Sequence, residues 1–381
     1  GGGLSVEWFG LSVKETSKLL LMLIIAFIVW GFVGLFLIGL MQFVSMQGWA
    51  TDSVHKHGIA EMQASRLGGA VCILGGFLVV IMLKLNGADE SGGSGPFGIR
   101  RFVVVAIMGS MVLGLVEDIR NDSLSPRIRL GILAILFGFI LWQWPALVPS
   151  SIGAPILDSL LSIPALAFVL CLVFCVGFLN AVNMADGANG LVPSILLAAY
   201  IIFYQEYGGV GLLSAVTILS AFWIFNVVSG RLFLGDAGAY AFGASLLVSS
   251  LTSYANGIMS LSFLAALLCY PCLDFLFSIL RRLVNGRPIM KPDNDHLHNR
   301  IHFQYRKFIK SKNIANSAAG LTVAGASSGV VLWGYLAAWW PINSGQWIVI
   351  FAAQSVAYGL AYYLTSSSSL AIGAANQSSD A

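Results

Sequence analysis

The chain has 381 residues, of which 57% are apolar and 10% charged, and its mean hydropathy is +0.85. Soluble domains carry about one-quarter charged residues, so the composition excludes a soluble globular protein and indicates a polytopic membrane protein. The formal net charge of +3 is too small to suggest binding to nucleic acid.

Eleven apolar runs approach the length of about 20 residues that a helix needs to cross a bilayer. They predict an all-α, polytopic integral membrane protein with about eleven transmembrane helices. We expect an N-terminal extracytoplasmic segment over 1–18, one transmembrane domain over 19–365 and a flexible cytoplasmic tail over 366–381. In chain order the runs cover residues 19–44, 67–86, 101–117, 128–148, 162–180, 190–205, 209–229, 237–254, 257–280, 317–340 and 345–365.

The distribution of lysine and arginine predicts the orientation of these spans. With eleven spans, one alternating set of loops holds 15 of the 20 basic residues, nine of them in the long loop 281–316. Basic loops stay in the cytoplasm. We therefore expect the N-terminus outside, the C-terminus inside, and the polar clusters described next on the cytoplasmic side.

The first polar cluster, on span 162–180 and just beyond it, contains Asn180, Asn183, Asp186 and Asn189. Hydrocarbon offers no hydrogen-bonding partners, so these side chains must face water, a metal or a polar ligand. If the helix continues, Asn180 and Asn183 share a face and Asp186 follows one turn later. The alternative is a polar helix end capped by asparagine and glycine.

Acidic residues mark two further clusters. Glu117 and Asp118 end the run 101–117, and the arginines Arg127 and Arg129 follow; such acids bind a divalent cation or hold cationic side chains, and the arginines suit phosphate. Asp236 stands between two glycines, where backbone approaches a ligand closely, and hard oxygen ligands of this kind suit Mg²⁺. The alternatives are an acidic helix end and a plain turn aspartate.

The long basic loop holds His296, His298 and Arg300, which fit an anion-binding loop better than a zinc site. Just before it, Asp274 lies within a predicted span, seven residues ahead of Arg281. An acid in that place is either functional or part of an ion pair that holds the basic loop.

Acids and amides beside arginines and histidines meet the needs of phosphoryl transfer, and a lipid-linked substrate would explain their position at the membrane surface. The rival hypothesis is a transporter that uses Asp118, Asp236 and Asp274 as an ion or proton relay. A transporter needs polar residues near the midplane with access from both sides. The clusters instead gather at one face, which argues against it.

Four motifs resemble, in order and spacing, those of the polyprenyl-phosphate N-acetylhexosamine-1-phosphate transferases. They are Glu117-Asp118, the stretch Asn180–Leu191, Phe233–Gly238 and Asp295–Arg300. The His-Leu-His pattern resembles the branch that starts O-antigen, teichoic acid and related envelope glycans. The chain departs from the family pattern at Glu117, Asn189 and Asn299.

The resemblance implies transfer of a HexNAc-1-phosphate, foremost GlcNAc-1-phosphate, from a UDP-sugar to undecaprenyl phosphate, with Mg²⁺ (or Mn²⁺) as cofactor. Another UDP-N-acetylated hexosamine or deoxyhexosamine is the alternative donor. It further implies a bacterial inner-membrane enzyme, with homodimerisation open, that acts in O-antigen or cell-wall synthesis.

By position, the resemblance also implies roles for individual residues. Phe233, with Asn189 and Asn226, resembles a uracil pocket, and Asp118 resembles the acid near the lipid phosphate. Catalytic roles fall on Asp118, Glu117, Asp236, His296 and His298, metal binding on Asn183 and Asp236, and nucleotide or sugar-phosphate binding on Asn180, Asp186, Asn189, Asn226, Phe233, Arg127 and Arg300.

Overall fold

The computed structural model describes residues 12–51, 64–85, 87, 101–120, 124–289 and 294–366. Within these ranges the chain is helical, and the only extended pairing is two isolated β-bridges. Most of the predicted N-terminal segment and all but the first residue of the predicted tail lie outside the described residues. The α-helices are α1 (Val13–Met46), α2 (Gly68–Leu85), α3 (Arg101–Arg120), α4 (Pro126–Gln143), α5 (Pro155–Leu161), α6 (Pro164–Ala185), α7 (Leu191–Tyr207), α8 (Val210–Ser229), α9 (Gly235–Ala255), α10 (Leu261–Leu267), α11 (Cys269–Val284), α12 (Leu297–Tyr305), α13 (Lys312–Ala324), α14 (Val330–Leu336) and α15 (Ile348–Leu364).

Each of the eleven predicted spans coincides with a helix or with two consecutive helices. In the described part of the chain, seven helical segments are long and apolar enough to cross a membrane. The count is eight if α10 and α11, which meet at an angle of 78°, form one broken span. These helices confirm an all-α membrane protein, whereas the number of eleven spans and the cytoplasmic side of the site stay predictions.

Helix α1 differs from the predicted single span 19–44, because it consists of two helical segments that meet at Gly31 (φ 60°, ψ −140°). A straight helix of 34 residues would be about 50 Å long. Yet both ends of α1 lie near Arg231. Near the start of α1, Glu15 pairs with the Arg231 side chain. Just past the end of α1, Trp49 O accepts the hydroxyl of Ser65 (2.9 Å), and the N–H of the same Ser65 donates to Arg231 O (3.0 Å). Helix α1 therefore folds back at Gly31. Its start lies on the Arg231 side of the molecule, whereas the prediction had placed it on the opposite side.

Glycines bring α2 and α3 to within backbone contact of the start of α9. Gly68 and Gly69 donate their N–H groups to the carbonyl oxygens of Phe233 (3.0 Å) and Leu234 (2.7 Å). A Cβ at Gly69 would overlap the backbone of Gly238, and a Cβ at Gly114 of α3 would overlap that of Asp236. Because α3 approaches so closely, Asp118, one turn after Gly114, reaches the first turn of α9.

Candidate active site

Two carboxylates from other helices cap the start of α9, where the first N–H groups of a helix lack internal partners. Asp118 accepts hydrogen bonds from the N–H groups of Asp236 and Ala237, both at 2.9 Å. Asp186 accepts one from the N–H of Gly235 at 3.0 Å. Gly235 has φ +71°, and a Cβ there would lie 2.8 Å from Asp118 Oδ2, so this turn requires glycine. The cap thus fixes the position of Asp236.

Two of the three neighbouring aspartates, Asp118 and Asp186, have a pKa above the ordinary value of a carboxyl group. Burial, followed by repulsion from Asp236, raises the pKa of Asp118 to about 7, although two backbone N–H groups and Arg66 oppose the shift. Removal from water, with smaller contributions from Asp118 and Asp236, raises the pKa of Asp186 well above its ordinary value. Clustered carboxylates of this kind favour a nearby cation, because it relieves their repulsion.

Arg129, in the first turn of α4, is a cation that contacts Asp236 and Glu117. Its Nη1 lies 3.4 Å from Asp236 Oδ2 and 3.6 Å from Glu117 Oε2. Glu117 is buried and accepts a hydrogen bond from Leu124 N at 2.8 Å, which fixes the turn between α3 and α4. Arg127, to which the resemblance gave a phosphate-binding role, is exposed. The structure therefore places Arg129 beside the acids, and the phosphate-binding role of Arg127 stays a prediction.

The amide stretch has the predicted local structure. Helix α6 continues to Ala185, so Asn180 and Asn183 share a face, and Asp186 follows as the C-cap. Asn180 donates its amide hydrogen to Val176 O of its own helix (2.7 Å). Asn183 donates to the hydroxyl of Tyr240 (3.3 Å), which lies one turn after Asp236 on α9. Asn183 and Asp236 are therefore neighbours through Tyr240.

Asn226 connects two loops and uses both ends of its amide within the protein. Its Oδ1 accepts from Gly190 N at 2.6 Å, and its Nδ2 donates to Leu232 O at 2.8 Å. Phe233, which follows Leu232 in the chain, is half-buried. In this structure Asn226 holds the loops in place, which differs from the direct contact with a base that the resemblance implies.

Asp274 holds the histidines of the basic loop. Its Oδ2 lies 2.6 Å from His296 Nδ1, and its Oδ1 accepts from Leu297 N at 3.1 Å and from the Tyr358 hydroxyl at 2.9 Å. This agrees with the alternative in which the acid holds the basic loop, but the group it holds is His296.

His298 reaches the amide stretch. Its ring stacks on that of His296 with centroids 5.5 Å apart, and its Nδ1 lies 2.7 Å from the Tyr270 hydroxyl. A Cβ at Gly187 would lie only 2.6 Å from His298 Nε2. The structure therefore brings the His motif and the stretch Asn180–Leu191 together, as expected for one site.

Arg300, by contrast, is buried in structural contacts. Its Nε and Nη2 donate to the two oxygens of Asp295 at 2.6 and 2.9 Å, and its guanidinium lies 3.7 Å from the centroid of the Tyr362 ring. These contacts give Arg300 a role in shaping the loop, and the expected phosphate contact finds no support in them.

Comparison with known proteins agrees with the motifs. Residues 101–254 match the family model described as glycosyl transferase family 4. The match covers 154 of the 381 residues, so it supports the resemblance over this part of the chain. The matched region contains three of the four motifs, and the His motif lies after it.

Individual relatives cover more of the chain. It is 25% identical over 290 residues, 73% of this chain and 77% of the relative, to a probable undecaprenyl-phosphate N-acetylglucosaminyl 1-phosphate transferase of Bacillus subtilis. It is 23% identical over 247 residues, 61% of this chain and 74% of the relative, to a phospho-N-acetylmuramoyl-pentapeptide-transferase of Clostridium perfringens. It is 28% identical over 205 residues, 53% of this chain and 61% of the relative, to an undecaprenyl-phosphate alpha-N-acetylglucosaminyl 1-phosphate transferase of Thermotoga maritima.

The residues of this site fit a magnesium ion better than a fully protein-ligated metal. Among the described residues, no group of three or more His, Cys, Asp or Glu side chains is arranged to hold a metal. Mg²⁺ commonly takes only one or two protein oxygens, with waters and substrate phosphates completing its shell. The carboxylate of Asp236 and the amide oxygen of Asn183, whose Nδ2 is used by Tyr240, supply that donor set.

Sequence reasoning missed several residues that position this site. Tyr270 and Tyr358 hold the groups around His298 and Asp274, and Asn313 and Ser317 bind the amide of Asn189. All four lie in or beside apolar runs, where a single tyrosine, serine or asparagine gives no pattern. An alignment of relatives is the signal that could have found them.

Proposed function

We propose that the protein transfers GlcNAc-1-phosphate from UDP-GlcNAc to undecaprenyl phosphate, giving undecaprenyl-diphosphate-GlcNAc and UMP. The observation that carries the proposal is the convergence of Asp118, Asp186 and Asp236 at the start of α9, with Arg129 beside Asp236 and His298 against Gly187. The relatives from Bacillus subtilis and Thermotoga maritima, named as undecaprenyl-phosphate N-acetylglucosaminyl 1-phosphate transferases, support the same reaction.

In this reaction an oxygen of the lipid phosphate attacks the sugar-bearing phosphorus of the nucleotide. The bond from that phosphorus to the bridging oxygen breaks, and UMP leaves with the electron pair. A phosphate monoester has a second pKa of about 6, so most of the nucleophile is already ionised at neutral pH. Positioning therefore contributes more than removal of a proton.

Asp118 has a positioning role in this scheme. Each of its oxygens accepts a backbone N–H from α9, so the carboxylate holds Asp236 in place. In the transferase, Asp236 and Asn183 would hold Mg²⁺, which supplies charge neutralisation at the diphosphate. Arg129 and His298 are the cationic or hydrogen-bonding groups that would face the phosphates.

The location of the reaction follows from the substrates. A UDP-sugar is a cytoplasmic metabolite class and the acceptor is a lipid, so we propose an inner-membrane enzyme whose site opens to the cytoplasm and whose product starts an envelope polysaccharide. The relay hypothesis loses support because Asp118 and Asp274 are each held by two or more hydrogen bonds that fix other parts of the fold.

The test is UMP release by the purified full chain with undecaprenyl phosphate, Mg²⁺ and one UDP-sugar at a time, with mass spectrometry of the lipid. We expect UMP and a lipid diphosphate-GlcNAc in equal amounts with UDP-GlcNAc. Product with a different N-acetylated hexosamine or deoxyhexosamine would correct the sugar. No lipid product from any donor, with lipid and nucleotide both shown to bind, would overturn the proposed reaction.

A further inference from the structure

Two side chains of α11 cap the start of α12, the helix that carries the His motif. The carboxylate of Asp274 accepts a hydrogen bond from Leu297 N at 3.1 Å, and the hydroxyl of Tyr270 accepts one from His298 N at 3.2 Å. The N–H groups in the first turn of a helix have no partner within the helix. Asp274 and Tyr270 therefore fix the backbone that carries the histidines.

The same carboxylate determines which nitrogen of His296 carries a hydrogen. Asp274 is buried, its Oδ2 lies 2.6 Å from His296 Nδ1, and its Oδ1 also accepts from the Tyr358 hydroxyl at 2.9 Å. Backbone N–H, tyrosine hydroxyl and imidazole groups all supply hydrogens, and such a set of donors suits an ionised carboxylate, which can only accept. The atom of His296 that faces Asp274 must therefore be an N–H group.

Tyr270 extends this constraint to His298. The hydroxyl of Tyr270 has a single hydrogen, and it is hydrogen-bonded to the side chain of Asp274, one turn further along α11. That hydrogen goes to the carboxylate, so the Tyr270 oxygen can only accept from its other partners. One of them is the backbone N–H of His298, and the other is His298 Nδ1 at 2.7 Å. Nδ1 of His298 must therefore also carry a hydrogen.

Both imidazoles turn Nδ1 towards α11, which leaves Nε2 on the far side of each ring. The rings of His296 and His298 are parallel, with an interplanar angle of 1°. His298 Nε2 faces the amide stretch, because a Cβ at Gly187 would lie 2.6 Å from it. A ring whose Nδ1–H is fixed by an acceptor takes up or releases a proton at Nε2.

We propose that Asp274 is a positioning residue that holds a proton on Nδ1 of both histidines and thereby directs their Nε2 atoms to the substrate phosphates. It acts on His296 directly and on His298 through Tyr270. This inference rests on the proposed function. In the charged ring, Nε2–H donates a hydrogen bond to a phosphate oxygen, and the buried carboxylate stabilises the charge of the ring.

The first experiment locates the hydrogens directly, by nitrogen NMR of the purified full chain with isotope-labelled histidine. The chain has five histidines, and the variants His296→Gln and His298→Gln assign the two signals. Ring nitrogens with and without a hydrogen differ in chemical shift. Between about pH 6 and about pH 9 we expect Nδ1 to stay protonated in both rings, while Nε2 titrates. In Tyr270→Phe, His298 should lose this preference and His296 should keep it.

Two other tyrosines provide matched controls for the loss of a hydroxyl. Tyr358→Phe removes one donor to Asp274, and Tyr254→Phe removes a hydroxyl that donates to Ser151 O at 2.7 Å. Among the described contacts, neither hydroxyl bonds a histidine. Both variants should therefore keep the wild-type positions of the hydrogens.

The second experiment measures UMP release from UDP-GlcNAc with undecaprenyl phosphate and Mg²⁺. We expect Asp274→Asn to lower kcat at least about 10²-fold, because it removes the charge and the fixed acceptor together. Tyr270→Phe should lower kcat about tenfold, and KM for the UDP-sugar should change less than about threefold in both variants. Tyr254→Phe should keep the wild-type rate. If Asp274→Asn does not fold, as judged by its size-exclusion profile, Tyr270→Phe decides.

Two results would overturn the inference. One is a neutral His298 ring that carries its hydrogen on Nε2 in the wild-type protein, and the other is a Tyr270→Phe protein whose histidine signals match those of the wild type. Either result, with UMP still released, leaves the proposed function intact. A failure of the proposed function has a different appearance. The wild-type protein then releases no UMP from any UDP-sugar although Nδ1 carries the hydrogen in both rings, and the role of Asp274 in the transfer is wrong as well.

Discussion

Replacing Gly187 by alanine tests whether the His motif and the amide stretch act as one site. The added Cβ would lie 2.6 Å from His298 Nε2, whereas ordinary contact begins at 3.4 Å. The imidazole must therefore move by about 0.8 Å. It is held by Tyr270, whose hydroxyl lies 2.7 Å from Nδ1 and 3.2 Å from the backbone N of His298.

A displacement of this size at a catalytic group costs up to about 10²-fold in rate. We expect kcat for UMP release to fall between about tenfold and 10²-fold, with KM for the UDP-sugar changed much less. Gly187 does not have a positive φ, so alanine is compatible with the backbone and the effect should come from the side chain.

Gly177→Ala is the matched control for this change. It too adds a methyl group, here within α6, but its Cβ would meet the Phe275 ring at an ordinary 3.6 Å. Initial rates, measured with size-exclusion profiles and melting temperatures of both variants, separate a local effect from misfolding. An unchanged kcat in a folded Gly187→Ala protein would refute the placement of His298 Nε2 in the reaction.

Three further substitutions test the other side of the site. Asp236→Asn should abolish turnover by weakening Mg²⁺ binding, and near-normal rates across a Mg²⁺ titration would contradict this assignment. Phe233→Ala should raise KM for the nucleotide about tenfold, and more than it lowers kcat, as expected for a lost stacking contact; the stacking role is wrong if KM stays the same. Arg129→Gln should lower kcat/KM at least about tenfold, whereas Arg127→Gln should lower it less than about twofold; equal losses would mean that the contact of Arg129 with Asp236 does not matter for the reaction.

Local features of the site could be predicted because they depend on neighbouring residues alone. The three-residue spacing of Asn180 and Asn183 is a property of any helix, and α6 does continue to Ala185. Gly190 has φ +77° and is the N-cap residue of α7. The eleven apolar runs likewise correspond to helices, because hydropathy is summed over consecutive residues.

Contacts between distant residues could not be predicted. The acid Asp274 meets Tyr358, 84 positions later, and Asp118 caps a helix start 118 positions away. The sequence likewise could not show which of Arg127 and Arg129 contacts Asp236, since the two arginines are only two residues apart and the contact depends on the packing of α4. The return of α1 at Gly31 depends on the φ and ψ angles of one residue, which composition does not reveal.

The sequence by itself determined that this is an all-α membrane protein of the phosphoryl-transfer type, because residue chemistry and hydropathy are local properties. It also predicted which acids, amides and histidines belong to the site. Only the tertiary structure decided which contacts each carboxylate makes. Asp118 caps α9, Asp274 accepts a hydrogen bond from His296, and Asp236 lies beside Arg129. These carboxylates are chemically alike, and what distinguishes them is the set of donors that packing brings to each.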